Sequence, residues 1–161
     1  TYGRIDGVVH NAGILGERTP IEHYDVATWQ QVLHVNLTAP FVLTRTLFPF
    51  LRESEDGSVI FTSSGVGRQG RAFWGAYAVS KFATEGLMET LADEVGAGQR
   101  LRFNAVNPGA TRTAMRAQAY PAEDPGTLRT PEEIVGTYLY LLGPDSRDEN
   151  GRSFDAQPPR K

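Results

Sequence analysis

Short β-rich runs, each closed by small polar residues or glycine, alternate along this chain with helical stretches of ten or more residues. No other feature constrains the fold so tightly. Arg4–Asn11 (RIDGVVHN) reads as a buried strand ended by Ala12-Gly13. Asp25 then caps a helical pattern from Val26 to about Arg52, with Trp29, Leu33, Leu37, Phe41 and Phe48 near helical spacing and Pro40 interrupting it. After the turn Glu55-Asp56-Gly57, Ser58–Thr62 (SVIFT) is a second strand. A glycine-rich loop, residues 65–75, leads into a helix over about 76–95, which Gly96 and Gly98 stop. Leu101–Asn107 (LRFNAVN) alternates apolar and polar residues and reads as a third strand closed by Pro108-Gly109. Residues 110–130 read as irregular, with a short helix near Thr113–Tyr120. Thr130-Pro131-Glu132-Glu133 opens a last helix with an N-cap, a first-turn proline and two acids at the positive dipole end. That helix ends near Leu142, and Arg152–Ala156 is a fourth short strand. Strands separated by helices pair in parallel, so the fold class is α/β: a doubly wound parallel sheet of three to four strands with flanking helices.

Composition narrows the function. The 161 residues suit one domain with a real core, and a net charge of −3 leaves no electrostatic footprint for nucleic acid. No apolar run is long enough to span a membrane. The N-terminal residues lack the pattern of a secretory signal, so a cytoplasmic location is expected. There is no cysteine, which removes disulfides, thiolate zinc sites and cysteine nucleophiles. His10, His23 and His34 lack metal-ligand spacing and read as structural, so no metal is expected.

Gly65-Val66-Gly67-Arg68-Gln69-Gly70 is a literal G-x-G-x-x-G after a strand. A dinucleotide loop, however, needs its helix to open within the glycines and a ribose-binding acid at the end of the next strand. Here residues 71–75 intervene, Glu85 falls mid-helix, and the next strand ends in Asn107-Pro108. The segment reads as a flexible loop beside a site, with Arg68 and Arg71 as solvated loop arginines. Phe73, Trp74 and the Phe41/Phe48 stripe read as core or subunit interface.

Tyr77 and Lys81 stand four apart on one helix, so they share a face. An ammonium beside a phenol lowers the phenol pKa toward neutrality and makes it a usable proton donor or acceptor. Helices carry such pairs by chance, but of 16 basic residues here only Lys81 and Lys161 are lysines. A compact, tunable ammonium differs chemically from a permanently charged guanidinium. Ser63 and Ser64 stand at the end of the second strand, where a hydroxyl either binds a substrate oxygen or satisfies local backbone. Asn36 precedes Pro40 by four residues, so its carbonyl loses its helical donor and the helix should kink. The freed carbonyl and the Asn amide could hold an ordered water, or the Asn could simply face solvent. Asn11-Ala12-Gly13, Thr62–Gly65 and Asn107-Pro108-Gly109 all close strands, which places a site on one edge of the sheet.

Taken in order, Asn11-Ala12-Gly13, Asn36, Ser64, Tyr77 with Lys81, and Pro108-Gly109 followed by Thr113 resemble the short-chain dehydrogenase/reductase family over nearly the whole chain. The wording of residues 65–71, 111–116 and 154–158 is similar to one bacterial branch of it. The resemblance implies an NAD(P)-dependent hydride transfer between nicotinamide and a carbonyl or alcohol, with NADP(H) favoured. It implies that Tyr77 is the general acid or base, Lys81 lowers its pKa and holds the nicotinamide ribose, Ser64 orients the substrate oxygen, and Asn36 holds a relay water. Asn11, Ala12, Gly13, Pro108, Gly109, Thr111 and Thr113 would line the cofactor groove. Residues 110–130 would form a substrate lid, with Met115, Tyr120 and Leu128 giving a partly apolar pocket. A homodimer or homotetramer is implied, with no membrane or nucleic-acid partner. Residues 1–161 would be a single partial domain. The family's T-G-x-x-x-G-x-G turn is absent from it, together with about three strand–helix units of roughly 30 residues each. That absence leaves open a different class, a cofactor-free binding protein that keeps Ser, Tyr and Lys as relics. A sugar-nucleotide epimerase shares Tyr-x-x-x-Lys, but only about 80 residues follow Lys81 here, too few for a further substrate domain of a typical size.

Overall fold

In the computed structural model, residues 3–96, 98 and 100–158 are described; Thr1 and Lys161 lie outside them. Strands β1 (Gly7–His10), β2 (Gly57–Thr62), β3 (Leu101–Asn107) and β4 (Arg152–Asp155) form one sheet in the order β1-β2-β3-β4, with every neighbouring pair parallel. The register pairs His10 with Phe61, Thr62 with Val106, and Asn107 with Asp155, so the carboxyl ends of the strands share one edge. The helices are α1 (Val26–Leu33), α2 (Ala39–Arg52), α3 (Gly75–Val95), α4 (Ala114–Ala119), α5 (Pro131–Ile134) and α6 (Gly136–Leu142).

Two apolar layers account for the doubly wound arrangement. On one face Val59, Phe61, Leu101, Phe103 and Ala105 pack with Leu51 of α2 and Met88 and Ala92 of α3. On the other, Ile60 and Val106 pack with Leu141 of α6. Because both faces are covered, β3 is buried from Leu101 to Val106, and the alternation expected there is not realised. Its polar members are held internally. Arg102 donates to Asp56, to the Leu141 carbonyl at 3.2 Å and to the Gly143 carbonyl at 2.8 Å, tying the end of α6 to the base of the sheet. Asn104 donates to the Glu149 carbonyl and accepts the Arg152 N–H, which docks β4. β1 is shorter than expected. Ile5 donates its N–H to the Phe50 carbonyl instead of joining the ladder, and residues along β1 alternate between exposed and half-buried.

The helix expected over residues 26–52 is broken as Pro40 requires, but by widening into a π-helical segment over His34–Thr38. The Ala39 N–H reaches back to the His34 carbonyl, and the Thr84 hydroxyl of α3 donates to the Asn36 carbonyl at 3.2 Å. The lost backbone donor is thus replaced by a side chain. The capping box predicted at Thr130 is present, with both reciprocal bonds to Glu133. The helix it opens ends at Ile134 and resumes as α6, so the single element expected over 131–142 is two. Residues 110–130 are irregular apart from the short helix expected near Thr113–Tyr120, found as α4, and a 3-10 turn. An isolated parallel bridge from Thr111 to Arg129 and the Arg112 side chain, which donates to the Pro125 and Leu128 carbonyls, hold the segment together.

The start of the glycine-rich loop is packed against α3, while residues 68–73 are exposed. Gly67 lies on the Lys81 backbone so closely that a Cβ would stand 2.9 Å from the Lys81 carbonyl carbon. Gly67→Ala should lower stability by about 1–3 kcal/mol in chemical denaturation. Gly70→Ala, where a Cβ meets open space, should stay within about 0.5 kcal/mol of wild type. Equal stability of the two variants would contradict this packing.

Candidate active site

Every strand end that the sequence marked with polar residues or glycine opens onto one cavity of about 690 Å³. β1 contributes Asn11, Ala12 and Gly13; β2 contributes Ser63 and Ser64; β3 contributes Pro108 and Gly109, followed by Thr111 and Thr113. From α3, Tyr77 and Lys81 project into the same space. The volume lies within the range of small-molecule and cofactor sites.

Tyr77 and Lys81 are both buried, and the Lys81 ammonium stands 5.6 Å from the Tyr77 ring centroid. Lys81 Nζ donates to the Thr62 carbonyl at 2.7 Å, which fixes the ammonium at the end of β2. Burial lowers the Lys81 pKa to about 8, with the Glu85 carboxylate one turn along α3 opposing it. Tyr77 behaves contrary to the sequence expectation. Burial raises its pKa above the ordinary phenol value, and a hydrogen bond with Ser64 pulls the other way. Desolvation of the phenolate outweighs the favourable contact, and no lowering toward neutrality is present.

Of the predicted site residues, Asn36 alone stands off the cavity wall, immediately behind it. Its Oδ1 accepts the Ile14 N–H at 2.8 Å, and its Nδ2 donates to the Ile14 carbonyl at 2.9 Å and to Ser80 Oγ at 3.0 Å. The side chain is 2% exposed, so the solvent-facing alternative is not realised. Asn36 stitches the strand-end turn to α3. A Cβ on Gly13 would meet Asn36 Oδ1 at 3.3 Å and Lys81 Nζ at 3.7 Å, so glycine there keeps the wall open beside the ammonium.

The opposite wall is apolar, formed by Leu15, Trp74, Met115 and Ala119. Trp74, expected in core or interface, is buried 5.7 Å from the Tyr77 ring and carries the Arg18 guanidinium 4.5 Å over its own ring. Phe73 before it has φ +68°, a strained setting for a bulky residue at the entrance to α3. Of the expected lid, residues 110–130, Thr111, Thr113, Met115, Arg116 and Ala119 line the cavity, whereas of its three expected apolar residues only Met115 does. Tyr120 packs against Trp74 under Arg116, and Leu128 is buried beside the Thr111–Arg129 bridge. Sequence reasoning missed the third wall, Ile134, Val135, Tyr138, Leu139 and Leu142 of the α5–α6 region. Their helical spacing gave no sign of which face met the sheet. Arg68 is exposed, as a solvated loop arginine should be, and it also pairs with Glu85 at 3.4 Å and Asp155 at 3.0 Å. The Phe41/Phe48 stripe divides: Phe48 stacks on Phe103 in the core, while Phe41 is 47% exposed. His10 bonds Thr44 Oγ1 at 2.8 Å, and burial lowers its pKa to about 4, as suits a neutral structural histidine. Among the described residues no cluster of His, Asp and Glu could hold a metal ion, and no helix is long and apolar enough to cross a membrane.

A parallel α/β sheet with Ser64, Tyr77 and Lys81 lining a cavity at its carboxyl edge defines a Rossmann-like fold with its site where that class carries one. Residues 1–124 match the family model of short chain dehydrogenases. The chain belongs to the short-chain dehydrogenase family. It is 59% identical over 160 residues to the oxidoreductase YciK of Escherichia coli K12, covering 99% of this chain and 63% of that protein. It is also 34% identical over 158 residues to a 3-alpha-(or 20-beta)-hydroxysteroid dehydrogenase of Mycobacterium tuberculosis, covering 95% of this chain and 59% of that one. Among solved structures, yciK from E. coli superposes with a TM-score of 0.92 at 59% identity, over 96% of this chain and 63% of that one. A short chain dehydrogenase of E. coli CFT073 complexed with NADPH superposes at 0.95 with 59% identity, over 98% and 65%. The chain therefore spans just under two thirds of the length of these relatives.

Proposed function

We propose that this chain carries the catalytic residues of an NADPH-dependent carbonyl reductase, which moves a hydride between nicotinamide and a carbonyl or alcohol substrate. The observation that carries the reading is the convergence of Ser64, Tyr77 and Lys81 on one wall of the cavity. The residues present fit a nicotinamide. Gly13 leaves open the space a Cβ would take beside Lys81 Nζ, Gly109 turns the opposite strand end with φ +72°, and Lys81 supplies a buried cation donor. NADP or NADPH complexes among solved structures 57% and 59% identical to this chain support the same cofactor here. They also favour the reductase over the cofactor-free binding protein.

The cofactor, when bound, supplies or accepts the hydride. Ser64 hydrogen-bonds the substrate oxygen and holds it at Tyr77. As the carbonyl is reduced, the Tyr77 hydroxyl donates its proton to the oxygen that gains charge; in alcohol oxidation the same oxygen takes the proton back. Lys81 holds positive charge beside the phenol and donates to the ribose hydroxyls. Asn36 fixes the Gly13–Ile14 turn that the cofactor passes. Asn11, Ala12, Pro108, Gly109, Thr111 and Thr113 complete the groove. The apolar wall around Trp74 suits a substrate with an apolar body. The exposed Phe41, Val42, Leu43, Val79 and Phe82 on α2 and α3 support a homodimer or homotetramer built on those helices.

The full-length protein that contains these residues should bind NADPH and consume it in the presence of a ketone or aldehyde from a carbonyl panel, followed by nicotinamide absorbance. Absence of both NADPH binding and turnover would overturn the reading.

A further inference from the structure

The end of β4 reaches across to the loop that follows β3. Ala156 donates its N–H to the Asn107 carbonyl at 2.9 Å, and Asp155 Oδ1 accepts from Asn107 Nδ2 at 2.8 Å. Asn107 Oδ1 in turn accepts the Gly109 N–H at 3.1 Å. Gln157, two residues further, completes the brace. Its Nε2 lies 2.7 Å from the Pro108 carbonyl, 3.1 Å from the Ala110 carbonyl and 3.2 Å from Thr111 Oγ1. Thr111 Oγ1 also reaches the Pro108 and Gly109 carbonyls, at 3.2 and 3.4 Å. One amide and one hydroxyl thus occupy the carbonyls of Pro108, Gly109 and Ala110.

Gln157 is not itself a wall of the cavity, whereas Pro108, Gly109 and Thr111 are. It braces the loop from behind. The close approach depends on Gly109, where a Cβ would stand 3.1 Å from Gln157 Nε2, and whose φ of +72° suits glycine. The brace has its own anchor. Arg68, in the glycine-rich loop that is not a nucleotide fingerprint, donates to Asp155 at 3.0 Å and reaches Glu85 of α3 at 3.4 Å.

We infer that Gln157 is a positioning residue for cofactor binding: with its carboxamide it turns the carbonyls of residues 108–110 away from the cavity and sets the loop to receive the nicotinamide. The inference rests on the proposed cofactor site and assigns a role to a residue outside its wall. An apolar or truncated side chain at 157 removes the amide donor from the Ala110 carbonyl and leaves the Pro108 carbonyl to Thr111 Oγ1 alone, and the loop then samples settings that present an acceptor to the cofactor. A carboxylate there sets an acceptor against the two carbonyl oxygens of Pro108 and Ala110 and forces the loop out of place.

The test is fluorescence titration of NADPH into the full-length protein and its Gln157→Met, Gln157→Ala and Gln157→Glu variants, alongside thermal melts and steady-state kinetics. Loss of the amide's hydrogen bonds should weaken NADPH binding by about ten-fold in the Met and Ala variants. The Glu variant should be weaker still and should regain affinity as the pH falls through the carboxyl range. The KM for NADPH should rise while kcat at saturating cofactor changes by less than about three-fold. Wild-type NADPH affinity in a folded Gln157→Met or Gln157→Ala protein would overturn the inference, as would a lowered melting temperature with unchanged affinity. If the wild-type protein itself does not bind NADPH, it is the cofactor reading that fails instead.

Discussion

Tyr77→Phe lowers turnover of the full-length protein by at least ~100-fold, the scale of a lost general acid. The substitution removes one oxygen and keeps the ring. That ring is 8% exposed, packs 5.7 Å from Trp74 and belongs to the cluster of Leu15, Val66 and Ala78. The fold and NADPH affinity should therefore be preserved, and the loss should appear in kcat. The raised pKa of Tyr77 gives the experiment a direction. A phenol held protonated by burial is well set to give a proton in carbonyl reduction and poorly set to take one in alcohol oxidation. The wild-type protein should therefore reduce carbonyls readily near neutrality and oxidise alcohols better as the pH rises. A Tyr77→Phe protein with near-wild-type kcat removes Tyr77 from the mechanism.

Lys81→Met has an effect of similar size, at least ~100-fold on turnover, because it deletes the buried ammonium beside the phenol. It should also weaken NADPH binding, which separates it from Tyr77→Phe. The Lys81 pKa of about 8 in the folded protein makes the wild-type kcat/KM for reduction fall as the pH rises through about 8. Stability carries a second signature. The folded-state pKa lies below that of an unfolded lysine, so between about 8 and the ordinary lysine value of 10.5 the unfolded chain binds the extra proton. Wild-type stability therefore gains a contribution as the pH climbs through that window, and Lys81→Met loses it. Denaturation curves across the window give the comparison. Matching pH dependence in the two proteins would remove Lys81 as the titrating group.

Much of this site was legible because strand ends are marked by residues with few other uses there. Asn11-Ala12-Gly13, Ser64 and Pro108-Gly109 close three runs, and parallel pairing then forces those ends onto one edge. Pro40 announced the break at Asn36 because a missing N–H is a property of one residue; that Thr84, 48 positions from Asn36, replaces the donor belongs to packing. Partners of the charged residues were not legible: Arg102 lies inside the sheet because Asp56 and the last carbonyls of α6 receive it, and the exposed Arg68 finds Glu85 and Asp155. The Tyr77 pKa was misjudged because spacing reveals Lys81 as a neighbour, whereas the shift is set by burial, opposed by the hydrogen bond with Ser64. That burial comes from Leu15, Trp74 and Ala119 in three separate parts of the chain. Gln157 carried no local signal, since its three acceptors lie 46 to 49 residues away.

The most direct test of the central claim is isotopic. The full-length protein is incubated with NADPH deuterated at the transferring position of the nicotinamide and with the best carbonyl from the panel, and the alcohol is weighed by mass spectrometry. One deuterium on the carbinol carbon of the wild-type product, with that product at least ~100-fold slower to form in Tyr77→Phe, is the result predicted. An alcohol without deuterium, or one formed equally fast by both proteins, would contradict it.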